Sequence, residues 1–159
     1  MCEVNSFSTQ EEVTIQLLEA FVDGGRKMEV IDEVTRTSGQ PCNLIRDIAR
    51  ELETTKLIKR KKQANGGAYY LLTTTESGSS RLRELHANRQ VAQTTYQGLL
   101  EISLHANSVL RRKLHTTETA KALLAQRLVQ ERNVPPQAIH VISTGGRELL
   151  RTLDQIFGQ

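Results

Sequence analysis

Five cations within seven positions, Lys56, Lys59, Arg60, Lys61 and Lys62, are the densest chemical feature of the chain. Amino and guanidinium groups at that density neutralise a polyanion, and a phosphate backbone is their natural counterpart. Just upstream stand Asn43, Arg46 and Arg50, at steps of three and four residues, which puts them on one side of a helix. Arg can make paired hydrogen bonds to guanine and Asn to adenine, so that side could read base edges. Two plainer readings stand beside these. The cation cluster could be a solvated edge strand that uses lysine against aggregation, and the helix side could be an ordinary surface on which Asp47 pairs with Arg50.

The charge distribution sharpens the picture. Residues 1–39 carry eight acids against three bases, whereas residues 40–70 carry seven bases against three acids. A polyanion would be repelled by the first stretch and drawn to the second, although the net charge is only +3.

The elements that must position these groups are readable from spacing. Ser8 and Glu11 stand as in a capping box, and Val13, Ile15, Leu17, Leu18 and Phe21 predict a helix over about 9–22, ended by Gly24 and Gly25. Val30, Ile31 and Val34 predict a short second helix over 27–37. Gly39 and Pro41 supply a tight turn with the proline at the first helical position. A third helix follows, with Leu44, Ile45, Ile48, Ala49 and Leu52 inward and Asn43, Arg46, Asp47 and Arg50 outward. Next come two strand-like runs, Leu57–Gln63 and Ala68–Thr73, separated by Ala64-Asn65-Gly66-Gly67, a hairpin signal because Asn and Gly tolerate positive φ. Asn65 at the tip joins the candidate DNA contacts. Helix, turn, helix, hairpin is the order of a winged helix-turn-helix.

On the run Leu44 to Arg60, then Tyr69-Tyr70-Leu71-Leu72-Thr73 and Thr75-Glu76-Ser77-Gly78, the chain resembles winged-helix transcription regulators of the MarR and PadR type over about residues 10–90. Lys56 stands where those families usually carry Gly, and Thr74 and Thr75 are extra to the Leu-Thr element. The resemblance implies duplex DNA as partner, and dimerisation through helices flanking the wing.

From Ser79 onward Leu82, Leu85, Ala92, Tyr96, Leu99, Ile102, Ala106, Val109, Leu110 and Leu114 keep a near-heptad spacing that predicts one long helix, with Gly98 a flaw in it. Such a helix exposes more apolar stripe than a small domain covers, so Leu82, Leu85, Tyr96, Leu99, Ile102, Val109 and Leu110 are expected to meet a second copy of the chain. A further helix is expected over Thr117–Arg132, Asn133 to Pro136 is a break, and a last helix covers Glu148–Phe157. Ile139, Val141 and Ile142 fit helix or strand and are assigned to helix. Leu124 to Ile142 also loosely resembles a repressor-type helix-turn-helix with an overlong turn. Ser143-Thr144-Gly145-Gly146 could form an anion-binding nest or a plain inter-helix turn.

Other chemistry finds little support. The four histidines, His86, His105, His115 and His140, have no metal-ligand spacing, and Cys2 and Cys42 make neither a disulfide framework nor a zinc site. Cys42 opens the third helix, where the terminal partial charge favours an anion, so it is either a redox switch on DNA affinity or an unreactive small residue. No nucleophile, base and acid stand at useful spacing, and no phosphate loop with Lys is present, so no enzyme activity and no cofactor are expected. Mean hydropathy of -0.41, short apolar runs and a start without a signal pattern predict a cytoplasmic protein with no membrane partner, nucleoid-associated if the cell is prokaryotic.

The expected fold class is mainly α with a small β-hairpin wing: a winged helix-turn-helix over residues 8–78, then long C-terminal helices over 79–159. The expected function is sequence-specific duplex binding as a homodimeric transcriptional repressor. The alternatives are a winged-helix protein-interaction module in a larger assembly, or a plasmid or phage replication, partition or packaging factor.

Overall fold

The computed structural model describes residues 7–62, 70–104, 118–134 and 137–158. Its elements run α1 (Thr9–Ala20), α2 (Lys27–Ser38), α3 (Cys42–Thr54), β1 (Ile58–Lys62), β2 (Tyr70–Thr74), α4 (Glu76–Leu104), α5 (Glu118–Ala125), β3 (Val129–Val134), β4 (Gln137–Ile142) and α6 (Thr144–Phe157). They form two compact units, one over residues 7–88 and the other carried by residues from 89 onward.

The first unit is a winged helix. Ser8 caps α1 by accepting the Glu11 amide on its Oγ at 3.3 Å, which satisfies one of the free N–H groups of the first turn. α2 ends where Gly39 takes the left-handed conformation at φ 68°. Pro41 then precedes α3 as its cap residue, at φ -60° and ψ 139°, one position earlier in the helix scheme than expected. Ile45, Ile48, Ala49 and Leu52 turn inward from α3 and meet Leu17, Leu18 and Phe21 of α1 and Ile31 and Val34 of α2 in the buried core. β1 and β2 pair antiparallel from Ile58 with Thr74 to Lys62 with Tyr70. Ile58 and Leu72 are the hairpin's buried side chains, and Gly25 adds one antiparallel bridge to Leu72.

Where α3 gives way to β1, the chain must reverse within two residues. Lys56 does so at φ 62°, the conformation for which Gly is ordinarily used. Thr75 fixes the other end of the hairpin: its amide donates to Leu57 O at 3.0 Å, and its hydroxyl donates to Lys56 O at 2.8 Å while accepting the Gly78 amide at 3.0 Å. Thr74 donates from Oγ1 to Leu18 O at 2.6 Å, tying β2 to α1. The two additional threonines of the sequence are therefore the fasteners of the hairpin.

Past residue 104 the chain departs from expectation. The helix predicted over Thr117–Arg132 ends at Ala125, and Ile139, Val141 and Ile142 belong to a strand, because β3 and β4 form a second antiparallel hairpin. α4 runs unbroken through Gly98. Its apolar stripe is already covered within the chain: Leu85 and Leu99 are fully buried, Ile102 is 2% exposed and Tyr96 8%. Within the single chain these four are therefore core residues. Leu82 is half-buried, and Val109 and Leu110 lie outside the described residues. Tyr96 also donates to Asp154 Oδ1 at 2.7 Å and stacks at 5.8 Å on Phe157, joining α4 to α6.

A Cβ added at Gly78 would fall on Leu57 O and within 2.7 Å of Thr74 Cγ2. Gly78→Ala is expected to destabilise the protein by about 2–3 kcal/mol through this overpacking. Lys56→Gly should do the opposite, since removing a left-handed cost of about 1–2 kcal/mol outweighs the extra unfolded-chain entropy of Gly, of about 0.5–1 kcal/mol. Urea unfolding followed by circular dichroism checks both signs.

Candidate nucleic-acid interface

Asn43, Arg46 and Arg50 stand exposed along α3, with Asp47 beside them. Lys59, Arg60, Lys61 and Lys62 are all exposed on β1, and Lys56 is exposed in the turn between helix and strand. Alternation along the strand puts Lys59 and Lys61 on one face and Arg60 and Lys62 on the other. Asn65 lies outside the described residues. Cys42 is the first residue of α3 and half-buried.

What these cations touch separates them into two groups. Arg60 approaches Glu53 Oε2 at 3.6 Å, and the other oxygen of the same carboxylate takes Lys27 Nζ at 2.8 Å. Glu53 thus links α2, the end of α3 and the start of the ribbon. By contrast, Arg46, Arg50, Lys59, Lys61 and Lys62 have no ion pair among the described residues. Asp47 and Arg50 do not form the intrahelical pair that was the plainer reading of that surface. Lys59 to Lys62, with Val22, Asp23, Thr73 and Thr74, line an open groove of about 630 Å³ between the α1–α2 turn and the ribbon. Adjacent like charges repel, and an anion placed against them removes that repulsion and gains charge-assisted hydrogen bonds.

Lys27 and Glu53 were missed from the sequence. They are 26 positions apart on different helices, a pairing that no periodicity encodes. Glu53 itself sits in the Leu-Glu ending of α3, where spacing shows a surface acid and nothing of its partners.

Behind α3 a second opening of about 370 Å³ is lined by Ser8, Glu11 and Thr14 of the α1 region, Ile48, Glu51 and Thr55 of the α3 region, and Arg81 of α4. Burial pushes the Glu11 carboxyl above its ordinary value, Glu84 adds to the rise, and Arg81 and the Ser8 hydrogen bond oppose it. Among the described residues no group of three His, Cys, Asp or Glu side chains could hold a metal ion, and no helix is long and apolar enough to cross a membrane.

No family model and no curated protein matches the sequence. Among solved structures, the chain is similar to a zinc-responsive MarR family member, Lactococcus lactis ZitR, at 21% identity and a TM-score of 0.43, over 80% of this chain and 76% of that one. A mutant of the same protein in complex with DNA gives 18% identity and a TM-score of 0.43, over 79% and 77%.

The raised Glu11 carboxyl predicts a pH dependence. A group whose folded value lies above its unfolded value binds more protons in the folded state, so its ionisation destabilises the fold as pH rises through that interval. Glu11→Gln should raise the melting temperature at pH 7, and the advantage should shrink as pH falls from the raised folded value to the ordinary carboxylate value, below which it is gone. An unchanged gap across that range would show that burial does not dominate at this site.

Proposed function

We propose that the first unit binds duplex DNA, with α3 in the major groove and the β1–β2 ribbon along the flanking backbone. The observation that carries this reading is the set of exposed, internally unpaired cations on two consecutive elements, α3 and β1, of a winged helix. Arg46, Arg50 and Asn43 have the chemistry for base edges, and Lys59, Lys61 and Lys62 that for phosphates. Glu53 holds Arg60 to α3, so the ribbon's base is fixed relative to the helix before DNA arrives, which lowers the ordering cost of binding.

The use of such an interface is transcriptional regulation by occlusion: bound protein excludes polymerase from the site. A regulator of this kind would act in the cytoplasm, and at the nucleoid if the cell is prokaryotic. A homodimer would set two α3 helices in successive major grooves. Four residues of the α4 stripe are buried within the single chain, and the exposed large apolar side chains among the described residues are Val22, Met28 and Val91.

The test is the salt dependence of affinity for duplex DNA. Six or more phosphate contacts predict a fall of about 1000-fold or more between 50 and 200 mM salt. Lys59→Gln combined with Lys61→Gln should lower the log–log slope by about two, with circular dichroism unchanged. Arg50→Ala should cost about 1–3 kcal/mol on a selected site and relax preference at one base pair. A flat salt response of the wild type would reject DNA as the partner and favour a protein-interaction role.

A further inference from the structure

The second hairpin repeats the first hydrogen bond by hydrogen bond. At the helix–strand turn, Thr55 N donates to Glu51 O at 2.8 Å and Gln126 N to Ala122 O at 3.1 Å. Lys56 N donates to Glu53 O at 3.1 Å and Arg127 N to Leu124 O at 3.0 Å, while Leu57 N reaches Leu52 O at 2.9 Å and Leu128 N reaches Leu123 O at 3.0 Å. Lys56 and Arg127 are the non-glycine residues of positive φ among those described, at 62° and 59°. At the strand–helix end, Thr75 N meets Leu57 O at 3.0 Å and Ser143 N meets Leu128 O at 2.9 Å. The hydroxyls of Thr75 and Ser143 each donate at 2.8 Å to the carbonyl of the left-handed residue and each accept a glycine amide at 3.0 Å, from Gly78 and Gly146. A Cβ at either glycine would fall on the carbonyl oxygen of Leu57 or Leu128. Ser143 to Gly146 is thereby accounted for as a helix cap, in keeping with its reading as a plain turn, and the alternative of an anion nest is not needed to explain it.

Superimposing the two frames through these bonds aligns α5 with the second half of α3, and β3 with β1. Three cations then coincide: Lys121 falls at the place of Arg50, Arg127 at that of Lys56, and Arg132 at that of Lys61. Lys59, Arg60 and Lys62 are matched by Gln130, Glu131 and Asn133, so the second ribbon is nearly neutral. Along the sequence, residues 89–159 hold nine bases against five acids, whereas residues 7–88 balance at twelve of each. Lys121, Arg127 and Gln130 are exposed.

We infer that residues 118–157 form a second duplex-binding frame, so that one chain carries two such frames, the first led by its ribbon and the second by α5 and the Arg127 turn. This rests on the reading of the first unit as a DNA binder. It assigns to the second unit the same ligand chemistry, phosphate oxygens of a duplex, with fewer contacts.

The experiment uses the full chain on a mixed-sequence duplex of about 40 base pairs, where binding is backbone-led and the salt slope counts phosphates. Lys121→Gln with Arg127→Asn, the Asn chosen because it tolerates the left-handed turn, should lower the slope by about two, which makes the affinity loss between 50 and 200 mM salt about tenfold smaller. Gln130→Lys, at the place of Lys59, should raise the slope by about one. If both variants keep the wild-type slope while Lys59→Gln with Lys61→Gln lowers it, the second frame is not on DNA, this proposal fails and the first stands; the second unit is then a protein-contacting one. If no variant changes the slope, both readings fail together.

Discussion

The backbone amide and carbonyl of Leu57 have to be satisfied in two directions at once, and much of the first unit follows from that. Leu57 closes the end of α3 through its amide, and its oxygen receives the amide of Thr75. Both bonds require the chain to turn left-handed at Lys56, and both bring the start of α4 so close that position 78 cannot bear a side chain. Buried backbone groups that lose such partners cost on the order of 1–3 kcal/mol each, so the arrangement is held by more than packing. Ile58 and Leu72 then lie under the ribbon as its apolar floor; alternation turns Lys59 and Lys61 to the opposite face, while Arg60 and Lys62 share the face of Ile58 and are exposed nonetheless. The interface is a by-product of how the hairpin is fastened to the helix before it.

Electrostatics adds the second constraint. A run of four cations is unfavourable on a small fold unless it is hydrated, paired or bound to an anion. Glu53 pairs one of them, Arg60, and holds Lys27 with its other oxygen, so the acid is shared between the ribbon and α2. The result is a ribbon anchored at its base and unpaired beyond it. The acids of α1 and α2 carry the opposite sign and would discourage an anion from docking on those helices. The charge of the first unit is thus sided, acidic on α1 and α2 and cationic on β1.

How much of this was legible from residues alone depended on whether the local chemistry announced itself. Ser8 with Glu11, Gly39 with Pro41, and Asn65-Gly66-Gly67 are strong punctuation, and the helices and ribbon of the first unit fall where they indicate. The inward and outward sets of α3 follow from its period, with Ile45, Ile48, Ala49 and Leu52 buried and Asn43, Arg46 and Arg50 exposed. The second hairpin was misread for a physical reason. Its reversal sits on Arg127 with no Gly to mark it, β3 begins Val129-Gln130-Glu131-Arg132, which reads equally as helix, and the sequence after β3 carries Pro135-Pro136 and no Asn-Gly to signal a hairpin. The α4 residues were read correctly as apolar, while the residues that cover them within the chain were not legible, because periodicity reveals that a stripe is covered and not by what. Tyr96 meeting Asp154 and Phe157 is a contact across some sixty positions that no local pattern could supply.

The left-handed turn at Lys56 has a dynamic corollary. A lysine held there carries conformational strain that only the neighbouring bonds offset, so the last turn of α3, the base of β1 and the first turn of α4 have little reason to open one at a time. They should behave as one cooperative block, with the amides of Leu57, Thr75 and Gly78 exchanging their hydrogens for deuterium at a common rate, slower than those at the open end of the ribbon. Rigidity would then be greatest where the ribbon is rooted, at Leu57 and Thr75.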